Sequence, residues 1–234
     1  MGIQERKERE RERRRQQIIV AAKRVFSEKG FNRATVEDIA QEAELSPGTL
    51  YLYFKNKDEL YASLSLRILQ YLNIRLDHVV KAEGLDPAER MQALKEAIYD
   101  VYQFDPLILI NLFHLQSSET LKNLSPELFE DIQNLSRRSL DGITAMFRTG
   151  IEGGLFESFN PEILAELLWS LFSGMVLWEE SRRIFEEKKD FLKDTLDMAF
   201  GIFLRGIRRP ETGEGLSPTI ASAEAQARSL KGPS

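Results

Sequence analysis

The chain has 234 residues and no cysteine, which excludes a disulfide framework, a zinc ribbon, an iron–sulfur cluster and a thiol nucleophile. Histidine is almost as scarce. His78 and His114 alone are a poor basis for a metal site, so neither metal nor cofactor is expected. No stretch alternates apolar and polar residues as a half-buried strand does. Gly150, Gly153 and Gly154 follow a helical segment rather than a strand, so they make no phosphate-cradling loop. The most apolar run, Leu164 to Trp178, carries Glu166 and is shorter than the ~20 residues a membrane span needs. Met1 to Arg15 lacks the apolar stretch of a signal peptide. These absences point to a soluble, cytoplasmic protein with no membrane partner.

What is present is charge, unevenly placed. Residues 1–57 hold 13 Lys/Arg against 9 Asp/Glu, net +4, and the remainder holds 19 against 28, net −9. A cationic first quarter on an acidic body outlines a small polyanion-binding module carried by a different domain. Within it Arg6, Lys7, Arg9, Arg11, Arg13, Arg14 and Arg15 alternate with Glu5, Glu8, Glu10 and Glu12. Two readings fit this arm: a solvated helix with internal ion pairs, or phosphate and minor-groove contacts from Arg13 to Arg15.

Helix starts are legible along the whole chain. Ser46-Pro47, Asp86-Pro87, Asp105-Pro106, Ser125-Pro126 and Asn160-Pro161 each put a capping residue before a first-turn proline, and Asn56 with Glu59 forms a capping box. Between them the apolar spacing is helical: Ile18, Ile19, Ala22, Val25 and Phe26 make one stripe, stopped at Gly30. The expectation is an all-α fold of about nine helices. From Arg208 onward Pro and Gly interrupt a segment with few large apolar residues, which predicts a disordered tail over 209–234.

Residues 35–57 read TVEDIAQEAELSPGTLYLYFKNK. Thr35 caps a short helix whose small residues Ala40 and Ala43 admit a second helix at close range. Ser46 caps that second helix, and Leu45 with Leu50 forms a hydrophobic staple. Packed on a helix over about 11–29, the pair makes a helix-turn-helix. At ~100° per residue, Leu50 and Phe54 share the core side, and Gly48 and Leu52 lie opposite, flanked by Thr49 and Tyr51. That outer set suits base edges and thymine methyls in a major groove. Tyr53, Lys55 and Lys57, with Thr35, are placed for phosphates.

The stretch Phe31 to Leu60 resembles the DNA-binding region of the TetR/AcrR family of bacterial one-component regulators, through Gly30-Phe31, Thr35-Val36, Ile39-Ala40, Ser46 to Tyr51, Tyr53-Phe54, Lys57 and Leu60. The resemblance implies operator contacts at Thr35, Ser46, Pro47, Gly48, Thr49, Tyr51, Tyr53 and Lys57. Leu52 joins them from the wheel, and Lys55 from its place at the next helix start. It also implies an effector-responsive body. The expected organisation is residues 1–60 for double-stranded DNA and 61–208 for effector binding and dimerisation. One departure is Glu44, where the family usually has glycine; if that position is left-handed, a side chain there costs about 1 kcal/mol.

For the body, two late helices are apolar on more than one side, as a helix shared with a partner would be. Ser170, Gly174, Met175, Trp178, Leu192, Leu196 and Phe203 are the candidate residues of a homodimer face, and twofold pairing would let two reading helices meet a palindrome. Tyr71, Tyr99, Tyr102, Asn111, Phe113 and His114 are candidates for a site holding a small, largely apolar effector. The expected function is a ligand-responsive repressor. The alternatives are a helical enzyme, for which no nucleophile–base–orienter set is visible, and a protein-binding helical adaptor.

Overall fold

A computed structural model of the chain describes residues 2–116, 119–183 and 191–210. Among these residues there are nine α-helices: α1 (Ile3–Arg33), α2 (Val36–Glu42), α3 (Pro47–Tyr51), α4 (Lys57–Lys81), α5 (Pro87–Phe104), α6 (Pro106–Gln116), α7 (Pro126–Glu152), α8 (Pro161–Arg183) and α9 (Leu192–Ile207). A 3-10 turn, Glu119–Asn123, lies between α6 and α7. The expected tail falls outside the described residues from residue 211 on.

The caps act where the sequence places them. The side chains of Ser46, Asn56, Asp86, Ser125 and Asn160 each accept a hydrogen bond from the backbone N–H three residues on, and α6 opens at Pro106 after Asp105. Each satisfies one N–H that a helix end leaves unpaired. The first helix differs from expectation by starting at Ile3, eight residues early. Its Glu/Arg run consists of strong helix formers, so the arm continues the helix instead of leading into it. Gly30 breaks it as expected, with φ 72° and ψ 161°, before a last turn to Arg33.

The long helix α4 is the axis. Helices α5, α6 and α7 pack on it, α1 touches its start, and α8 covers α7. Leu60, Leu64, Ile68, Leu72, Leu76 and Val79 run down its buried side. By length and composition α8 would be able to cross a membrane, as one helix among the described residues, Pro161–Arg182, does meet that test. Its Leu164, Ala165, Leu168, Phe172 and Val176 are nevertheless buried in the chain's own core.

The loop after α7 is laced to the end of α9. Glu157 N donates to Ile207 O at 2.9 Å and Arg209 N to Leu155 O at 2.9 Å. This turns Phe156 inward against Phe147 and directly over Gly150. A Cβ at residue 150 would overlap the Phe156 ring. Gly150→Ala should therefore destabilise the protein by about 1–3 kcal/mol despite the better helix propensity of alanine. Thermal melting checks this, and an unchanged or higher Tm would show that the ring yields freely.

Candidate functional site

Two short helices are locked by local chemistry before any packing is counted. Thr35 Oγ1 accepts from Asp38 N at 3.1 Å while Asp38 Oδ2 accepts from Thr35 N at 3.0 Å, a reciprocal capping box. The Asp38 carboxyl is held below its ordinary value, first by Lys29 at 2.7 Å and then by the Thr35 N–H. At the other end of α2, Leu45 N donates to Ala40 O at 2.8 Å and Glu44 N to Gln41 O at 3.0 Å. This Schellman turn puts Glu44 at φ 55°, in the left-handed region that favours glycine. Ser46 then caps α3 through Thr49 N and also meets Thr49 Oγ1 at 2.9 Å.

The orientation of α3 follows the helical wheel. Leu50 and Phe54 are sealed in the core, Tyr51 is 51% exposed and Leu52 73% exposed. Ser46, Pro47 and Gly48 are also exposed, and Thr49 and Tyr53 are half-buried. The regular helix stops at Tyr51, and a tighter turn carries the chain on through Tyr53 N to Leu50 O at 2.9 Å. Thr35 and Lys55 lie on the exterior.

Lys57 has partners within the chain. Its ammonium donates to Phe31 O at 2.8 Å and Ala34 O at 3.0 Å and stands 4.4 Å from the Phe31 ring centroid. It clamps the last turn of α1, where the helix dipole is negative, to the start of α4. Beneath it Phe26, Phe31 and Tyr61 form a ring cluster, and burial pushes the Tyr61 phenol up to about 12. Arg15 too has partners within the chain. Its guanidinium sits 5.1 Å over the Phe54 ring and donates to Ser63 Oγ at 3.3 Å, bracing the end of α3. Arg14 donates to Gln17 Oε1 at 3.0 Å, and Arg13 remains exposed.

In the body, Tyr71 stacks on Phe104 with centroids 4.4 Å apart, Tyr99 accepts from Gln103 Nε2 at 2.8 Å, and fully buried Tyr102 donates to Glu180 at 3.1 Å. Phe113 packs edge-on to Trp169. The side chains of Asn111 and His114 lie outside the described residues. A cavity of about 320 Å³ opens between α4, α7 and α8, lined by Leu69, Leu72, Ser136, Arg137, Ser139, Leu140, Ile143 and Trp169. Of the candidate effector residues, the described ones, Tyr71, Tyr99, Tyr102 and Phe113, do not line it. The sequence held one signal: Ser139 interrupts the apolar α7 stripe of Ile132, Ile143 and Phe147. In the structure Ser139 Oγ accepts from buried Asn73 Nδ2 at 2.9 Å, joining α7 to α4. Among the described residues no group of three or more His, Asp or Glu is placed to hold a metal ion.

The candidate dimer residues divide. Ser170, Gly174 and Trp178 face outward on α8, and Met175 is half-buried. Leu192 and Leu196, each 1% exposed, are corrected: they belong to the chain's own core, and Phe203 packs on Phe147. The exposed large apolar residues of α9 are Met198 and Ile202, and those of its packing neighbour α8 are Ile163, Leu167, Leu171, Leu177 and Trp178.

The geometry has counterparts. Residues 18–64 match the family of bacterial regulatory proteins, tetR family. An uncharacterized HTH-type transcriptional regulator of Haemophilus influenzae is 31% identical over 187 residues, covering 79% of this chain and 92% of the relative. The HTH-type transcriptional repressor KstR2 of Mycobacterium tuberculosis is 26% identical over 156 residues, covering 67% and 74%. The fold is shared with the regulator FadR of Bacillus subtilis, solved in complex with stearoyl-CoA, at TM-score 0.63 and 22% identity over 82% of this chain and 99% of that one.

Glu44→Gly relieves a left-handed residue without touching the Schellman bonds. It should raise stability by about 1 kcal/mol, a Tm gain of roughly 2–4 °C in a chain this size; a lower Tm would mean the Glu44 side chain makes up for its strain. The two lysines should separate. Lys57→Ala strands two carbonyls and should cost about 1–2 kcal/mol of stability. Lys55→Ala should leave Tm unchanged and flatten the slope of log K for DNA against log salt by about 0.9. A flattened slope with no loss of Tm for Lys57→Ala would restore it to the phosphates.

Proposed function

Since the chain belongs to the TetR family of bacterial regulatory proteins and is a DNA-binding transcriptional regulator, we propose that it acts as a homodimeric repressor of a palindromic operator, released by a small, largely apolar effector. The observation that carries this reading is the bare outer face of α3, with Tyr51 and Leu52 exposed opposite buried Leu50 and Phe54. A five-residue helix reads few base pairs, so a specific site needs two of them at the 34–36 Å spacing of successive major grooves. The exposed strip on α8 and α9 supplies a self-complementary apolar surface for that pairing. Residues 1–60 read the DNA, residues 61–208 pair and bind effector, and the protein works in the cytoplasm where the chromosome is.

The effector site is the cavity between α4, α7 and α8, whose volume lies at the small end of ligand pockets. The relative FadR was solved with stearoyl-CoA, a ligand with a long apolar chain, in keeping with apolar walls here. Helix α4 is the coupler. It begins at Lys57 beside the reading helices and carries Leu69 and Leu72 into the cavity wall roughly 18–22 Å farther along. Two polar ties reinforce it: Lys23 of α1 pairs with buried Asp105, and Asn123 Nδ2 donates to Asp58 Oδ2 at 2.9 Å. An effector that tilts α4 changes the separation of two reading helices, and by linkage DNA weakens effector binding by the same factor.

Selection of bound sites from random duplexes should return twofold-symmetric sequences, and light scattering at micromolar concentration should give the mass of two chains. Tyr51→Ala with Leu52→Ala should lower specific affinity by about 10-fold or more while preserving Tm, since both side chains are exposed. Asymmetric winners together with a monomeric mass would overturn the reading.

A further inference from the structure

Among the described residues, the cavity between α4, α7 and α8 has one charged group in its wall, Arg137, and no acidic one. Of the two serines in the wall, Ser136 and Ser139, the second is spent: Ser139 Oγ donates to Leu135 O at 3.0 Å and accepts from Asn73. The neighbouring Arg138 is committed to Asp77 at 2.5 Å. Arg137 is exposed on α7 and has no hydrogen-bond or ion-pair partner among the described residues, although Asp141 follows one turn later. An exposed, free guanidinium thus borders a pocket whose described walls, the two serines apart, are Leu69, Leu72, Leu140, Ile143 and Trp169.

Resting on the reading of this cavity as the effector site, we infer that Arg137 selects an anionic amphiphile, an apolar chain or ring system ending in a carboxylate. The apolar body leaves water, where transfer is favourable in proportion to area. The head stays at the rim, where its charge keeps part of its hydration and avoids the cost of burying an ion. The planar guanidinium offers a two-pronged match to a carboxylate, stronger than a neutral hydrogen bond and shorter in reach than a bare Coulomb attraction. A cationic head would meet Arg137 as a like charge, and a neutral hydroxyl would gain little from it.

Calorimetry with decanoate and 1-decanol on the full chain tests this. Arg137→Gln should weaken decanoate at least fivefold and leave decanol within twofold, and Arg137→Lys should fall between wild type and Arg137→Gln for decanoate. Raising salt should weaken decanoate alone. Leu140→Phe, which narrows the cavity, should weaken both ligands. Equal effects of Arg137→Gln on the two ligands, or none on either, would overturn the inference and leave the effector site standing. Saturable binding of neither ligand, or binding of both untouched by Leu140→Phe, would remove the site itself and the inference with it.

Discussion

The whole recognition surface depends on the seating of two side chains, Leu50 and Phe54, in the core beside α1 and α4. A five-residue helix has no standing of its own in water, because nucleating a turn costs more than one or two hydrogen bonds return. Its direction is therefore set by anchors outside itself. The Ser46 cap and the Schellman turn at Glu44 fix where it begins, the Leu50 side chain fixes its roll, and the Arg15 guanidinium over Phe54 closes the far end. With the inner side held at four points, the outer side can be left uncovered without the helix rolling over to hide Leu52.

Much of this was legible because capping is local. A proline after Ser, Asp or Asn states a helix start in two residues, and six of the nine helices begin at such sites or at the Asn56 cap, where the Glu59 carboxylate accepts from Lys55 N instead of closing the expected box. The wheel of α3 was legible for the same reason. What the sequence left open were assignments decided by distant partners. A lysine at a helix start looks the same whether it faces a phosphate or, as Lys57 does, the carbonyls of Phe31 and Ala34. On α9 both sides are apolar, so periodicity does not tell Leu192 and Leu196, which face in, from Met198 and Ile202, which face out. The cavity is assembled from α4 and from the consecutive helices α7 and α8 much later in the chain, and its only local trace is a serine among leucines and isoleucines.

The polar ties between the reading helices and the body are few and specific. Lys23 with Asp105, Asn123 with Asp58, and Arg15 with Ser63 all join α1 or the start of α4 to elements that border the interior of the body. Such contacts add little to global stability, yet they resist sliding of one unit over the other more sharply than apolar packing does, since a hydrogen bond weakens steeply with distance and angle. Movement of the body is thereby handed to α1 and α4 together, the two helices on which α2 and α3 ride.

The chain has only two indole rings, and they stand in different places. Trp169 borders the cavity, whereas Trp178 is 69% exposed on the outward strip of α8. The protein thus carries two intrinsic optical reporters without labelling: emission from the first shifts when the cavity fills, and emission from the second shifts when the strip is covered. Replacing either indole by phenylalanine separates the two signals, so occupancy and association become measurable in one cuvette.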